Sequence, residues 1–169
     1  MTRAGFTFYE VMVSVGVMLV LSALAVTYST STREQILIFR EQAAVVSMLS
    51  RARGLAAKGY TAGSNIICAY GVHFDETDGE IIVFGDFGDS AADCTDVNYA
   101  YDAGEELKEY TLHPKVSMSA DASDIVFIPP DIEMKADGGA VSFPVSIRLS
   151  AGGESADVSV AASGQITTN

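Results

Sequence analysis

Between Glu10 and Arg33 the chain carries no charged side chain for 22 residues, Val11 to Thr32, in a run rich in Val, Met, Leu and Ala. At ~1.5 Å of rise per residue, a helix of that length crosses the ~30 Å hydrocarbon core of a bilayer. The anomaly is Glu10 at its head. A carboxylate within a membrane helix costs about 2.5–3.5 kcal/mol on insertion scales, so it calls for a partner. An ordinary membrane helix with a stray acid near its end is the plain alternative.

The residues before the run narrow the choice. Gly5-Phe6-Thr7-Phe8-Tyr9-Glu10 resembles the prepilin cleavage and methylation box of type IV pilins and type II secretion pseudopilins. The resemblance implies that a prepilin peptidase cuts between Gly5 and Phe6 and methylates the new amino terminus on Phe6, and that Glu10 becomes the fifth mature residue. It implies a leader of residues 1–5 and a membrane and filament-core helix of residues 6–32 that stays in the mature protein, because processing falls before the apolar run. It further implies that Glu10 serves assembly, by neutralising the Phe6 amine of a neighbouring subunit and so setting register. Ala4 stands before the glycine where Lys or Arg is common, and Arg3 is the only basic leader residue. Arg3 precedes the span while Arg33 and Arg40 follow it, so the positive-inside rule does not decide orientation. The head outside the cytoplasm, with the helix in the bacterial inner membrane, comes from the resemblance.

The helical pattern continues past the membrane. Ile38, Val45, Leu49, Ala52 and Ala56 form a stripe at spacings of three, four and seven, widened by Leu37, Ala44, Met48 and Leu55. No proline interrupts 33–58, and Gly59 after Lys58 is a natural stop. The spacing predicts one helix over 6–58, its amphipathic half at 33–58, followed by a β-rich head at 59–169. Hydrophobic runs predict strands at 65–74 and 80–84 joined by the polar turn 75–79, a long loop over 85–104, and strands at 107–112, 116–118, 125–128, 141–149 and 156–161. Pro144 within the strictly alternating 141–149 run points to an edge or bulge. The expected fold is α+β, a long helix packed on a mostly antiparallel sheet. Tyr70-Gly71-Val72 and the closing Ser163-Gly164-Gln165-Ile166 resemble the head of the minor pilin and H-type pseudopilin group, more broadly and less specifically than the box.

Charge is unevenly spread. The chain has 169 residues and a net charge of −12; residues 33–58 hold five basic groups and two acids, whereas 59–169 hold four basic groups and 19 acids. One membrane helix and one small domain use all of it. A head so acidic repels phosphate, so no nucleic-acid partner is expected. Cys68 and Cys94 are a natural disulfide pair if the head faces an oxidising compartment, worth ~3 kcal/mol in the chain-entropy model; two unrelated buried thiols are the alternative. Neither cysteine has a second Cys or a His at zinc-ligand spacing.

Little speaks for catalysis. The chain has no Gly-x-Ser-x-Gly, phosphate loop or His-Glu-x-x-His, and only two histidines, His73 and His113, each read as an ordinary surface or strand residue. Asp86, Asp89, Asp93, Asp96, Asn98, Asp102 and Glu105 crowd one loop, and oxygen donors of this type suit Ca²⁺; a solvated acidic loop is the default, and Asp86, Asp89, Asp96, Asn98, Asp102 and Glu105 are the candidate ligands. No other cofactor is expected. The sequence reads as a filament subunit whose partners are the peptidase, other pilins or pseudopilins and the membrane. An anchored β domain that binds a ligand or Ca²⁺ without polymerising is the rival, and a DNA-uptake pilin is poorly suited to this charge.

Overall fold

The computed structural model describes residues 7–59, 67–87, 94, 97–130 and 132–169, with the side chains of 25–31 excepted. Thr7 opens the helix. Its hydroxyl oxygen accepts the Glu10 N–H at 3.3 Å while the Glu10 carboxylate accepts the Thr7 N–H at 3.0 Å, a capping box that satisfies donors every helix start leaves open. From there α1 (Phe8–Lys58) runs for 51 residues, ~75 Å at ~1.5 Å per residue. Gly59 ends it in the left-handed region, φ 57° and ψ 46°, with its N–H bonded to the Ala56 carbonyl. A side chain would be strained there, which is why a glycine makes the stop.

Among the described residues nine strands follow: β1 (Ile67–Asp75), β2 (Glu80–Phe87), β3 (Glu106–Thr111), β4 (Ser117–Ala120), β5 (Asp124–Ile128), β6 (Glu133–Ala136), β7 (Val145–Ala151), β8 (Glu154–Val160) and β9 (Ile166–Thr168). They form two antiparallel sheets, in the orders β3-β2-β1-β5-β6 and β4-β7-β8-β9. The fold is α+β. The upper half of α1 touches β1, β2 and β5 of the first sheet and β7, β8 and β9 of the second. Ile38, Val45, Leu49, Ala52 and Ala56, the stripe expected from spacing, are all buried against them. Each fully buried Val, Leu or Ile contributes about 1.5–3 kcal/mol, so this seam fixes the helix to the head.

The strand expected over 141–149 is corrected. It begins only at Val145, and Val141 makes a single bridge to Ala136. Pro144 lacks the N–H that a continuous ladder requires, so the pattern there is alternating without being a strand. The fourth expected strand is displaced, Ser117–Ala120 in place of 116–118, and β6 was not anticipated because Glu133-Met134-Lys135-Ala136 is too polar to stand out. β8 starts two residues before its expected bound, at Glu154. The chain does not close at Gln165-Ile166; Ile166 instead opens β9.

Candidate functional site

The foot of α1 is bare. Phe8 is 86% exposed, Met18 68% and Leu24 61%, and apolar side chains project on every side of the helix between them. A helix apolar all round is stable only in lipid or among other apolar helices. Its serine hydroxyls are satisfied within the helix: those of Ser14 and Ser22 donate to the carbonyls of Glu10 and Met18, both at 2.7 Å. Among the described residues no helix is long and apolar enough to cross a membrane. The described side chains of the apolar stretch end at Leu24, and 25–31 of the expected span lie outside them. Gly5, Phe6 and the rest of the leader also lie outside the described residues.

Glu10 has a partner within its own chain. Thr7 gives its carboxylate two hydrogen bonds, from the backbone N–H and from the hydroxyl, both at 3.0 Å. Thr7 was missed in reading the sequence, although the Thr-x-x-Glu spacing of a capping box marks it. One carboxylate oxygen, Oε2, takes both bonds, which leaves acceptor capacity on Oε1 for a further donor.

Higher up, Glu41 is buried at 1% exposure and accepts the Tyr110 hydroxyl at 2.7 Å, while Gln42 donates to the Asp157 carbonyl at 3.0 Å. Both polar residues sit within the apolar stripe, one turn after Ile38, and they lock α1 to β3 and β8.

On the head, Cys68 of β1 and Cys94 are disulfide-bonded. Tyr99 and Tyr101 of the following loop lie on a small cluster of Ala69, Phe84 and Val126 on the outer side of the first sheet. Of the six candidate metal ligands, Asp89 and Asp96 lie outside the described residues. The other four are spent on hydrogen bonds that shape the loop. Asp86 accepts the Tyr99 N–H at 2.9 Å, Asp102 accepts from Asn98 at 2.8 Å, and Glu105 accepts the N–H groups of Phe87 and Asp102 at 3.2 and 3.1 Å. Among the described residues no group of three or more His, Cys, Asp or Glu side chains is placed to hold a metal ion. Burial, and next the nearby Glu105 carboxylate, push Asp86 up to about 7; burial also raises Glu105.

The histidines have structural employment. His73 Nδ1 lies 2.9 Å from the Asp124 carboxylate across the β1–β5 pairing, and its ring stacks on Tyr101 at 4.7 Å. His113 Nδ1 accepts the Lys115 N–H at 3.2 Å.

No family model and no curated protein matches the chain. Among solved structures it is similar to the minor pseudopilin EpsH from the Type 2 Secretion System of Vibrio cholerae, at 12% identity over 79% of this chain and 96% of that one, with a TM-score of 0.48. At that identity and score the likeness carries no functional weight.

Proposed function

We propose that this chain is a non-catalytic structural subunit, a minor pilin or pseudopilin, of a type IV pilus or type II secretion filament. In this reading prepilin peptidase cuts between Gly5 and Phe6 and methylates Phe6. Residues 6–32 wait in the bacterial inner membrane and then enter the filament core, while 33–58 and the head at 59–169 stand outside the cytoplasm. The reading is carried by one conjunction: the Gly5–Glu10 box leads directly into a helix whose side chains are bare and mostly apolar from Phe8 to Leu24 and whose upper half packs on a sheet domain. A lower half of that kind needs a home in lipid or among like helices, and a filament supplies first one and then the other. Glu10, held at the helix start by Thr7, keeps an oxygen for the amine of a neighbour.

Mass spectrometry of the protein from peptidase-positive cells is expected to find a chain beginning at methylated Phe6. Glu10→Val is expected to leave cutting intact and to reduce incorporation into filaments by roughly tenfold or more, the scale of an unpaired charge of a few kcal/mol in an apolar core. Recovery of the full-length chain starting at Met1 from such cells removes the reading.

A second reading, an anchored β domain that holds Ca²⁺ and does not polymerise, draws on the raised carboxyls of Asp86 and Glu105, whose mutual repulsion a divalent cation would relieve. An ion present at ~100 times its Kd would add ~2.7 kcal/mol. Melting the detergent-solubilised chain in Ca²⁺ and in EDTA is expected to give one midpoint, because these oxygens already serve backbone N–H groups. A rise of several degrees in Ca²⁺ favours the second reading.

A further inference from the structure

Between Arg33 and Lys58, α1 turns its acids toward the head and leaves its cations exposed, Arg53 lying along Gly164 of the head. Glu41 is buried on Tyr110, and the Glu34 carboxylate lies against Gly152 in the β7–β8 turn, so close that a Cβ there would collide with it. Arg33, Arg40, Arg51, Arg53 and Lys58 are all exposed. Beside them Ile36 and Phe39 are each 64% exposed, a small apolar patch. Ala43, Ser47 and Ser50 above it are small and exposed, which lets a partner come close.

The opposite charge gathers at the edge of the first sheet. Residues 102–109 hold four acids, Asp102, Glu105, Glu106 and Glu109, against Lys108. β3 is an edge strand, and Glu106, Leu107 and Glu109 are exposed on it. Tyr101 gauges the local field: its bond to Glu106, then burial, then the charges of Glu106, Glu109 and Glu105 push its phenol up to about 12. Among the described residues no α1 cation is ion-paired with a head carboxylate.

We propose that the outer face of α1 over 33–58 receives the β3 edge of a second copy of this chain, with Arg40 and Arg51 facing Glu106 and Glu109 and the exposed Leu107 meeting the Phe39 patch. Two complementary patches on one molecule make a heterologous, head-to-tail contact, which repeats as a ring or an open helix. Two-fold antiparallel pairing centred on Lys108 or Glu109 sets that residue against its own copy, and like charges directly opposite destabilise a ladder. The inference deepens the filament reading and rests on it for the presence of neighbours.

The test uses the full chain in detergent micelles with a benzophenone amino acid at Ser47. Illumination is expected to give a dimer whose cross-link maps to the β3 edge, with a yield that falls as salt rises. The double variant Arg40→Glu, Arg51→Glu is expected to lower the yield roughly tenfold, as reversal of a few exposed charge pairs allows, and adding Glu109→Lys is expected to restore part of it. Glu106 is left alone because it anchors Tyr101 and Gly104. No dimer, a cross-link mapping to α1 or to another head surface, or a yield indifferent to charge reversal overturns the contact. If Phe6 is methylated and incorporation depends on Glu10 while no such dimer forms, the contact alone falls. If the chain stays uncut yet the charge-sensitive dimer forms, the filament reading falls and the contact stands.

Discussion

Asp86→Asn is expected to raise the thermal midpoint at pH 8 by about 10 °C and to leave it nearly unchanged at pH 4. The cause is a carboxyl only 2% exposed, facing the Glu105 and Asp102 carboxylates and moved from an ordinary 3.8 up to about 7. A group raised in this way keeps its proton in the fold at pH values where the unfolded chain has lost it. Folding is therefore favoured fully below about pH 4, loses stability as pH climbs to about 7, and is flat above. At ~1.4 kcal/mol per pH unit the loss is about 4 kcal/mol. Asparagine does not ionise, and its amide oxygen still accepts the Tyr99 N–H. Glu105 and Asp124 are raised too, whereas Asp75, Glu106 and Asp157 are held below the usual carboxylate range, so the slopes that remain in the variant oppose one another. Melting both proteins in detergent with EDTA between pH 4 and 8 checks this; parallel profiles would show that Asp86 is not the group responsible.

Gly71→Ala is expected to destabilise the head by about 2–3 kcal/mol, although alanine normally favours a strand over glycine by about 0.5–1 kcal/mol. Gly71 lies opposite Phe84 in the β1–β2 ladder, and a Cβ there would collide with Cζ and Cε1 of the Phe84 ring, with Cε2 only 3.1 Å away. The ring is fully buried and the tilted Tyr101 ring lies against it, centroids 5.7 Å apart, so it has little room to retreat. The strand entropy gained is smaller than the clash. In a Phe84→Leu background the same change is expected to be neutral or mildly stabilising, and urea midpoints of the four proteins in that cycle measure the coupling. Equal effects in both backgrounds remove the explanation.

The helix was legible because its apolar positions repeat with the helical period for five turns and Gly59 ends it. The β1–β2 hairpin was legible because Asp75 to Gly79 supply turn chemistry between two apolar runs. Asp86 was not. Gly85-Asp86 looks like the start of a loop, yet β2 continues to Phe87 because β1 pairs through it and the segment around Tyr99 folds back to cover it. Glu41 escaped notice for a related reason. A carboxylate reads as solvent-facing until its partner is known, and Tyr110 lies 69 residues away. Of the candidate site, the box residues were visible as a motif, whereas the cationic face emerged only once Glu34 and Glu41 were seen to point inward.

One consequence of α1 is mechanical. The helix passes Gly16 and Gly54 without a break and contains no proline, so foot and head share a single stiff shaft. An axial thrust delivered near Glu10 reaches the seam of Val45, Leu49 and Ala52 through continuous helix, with no proline kink on the way. Any motor that lifts the foot lifts the whole subunit by the same distance.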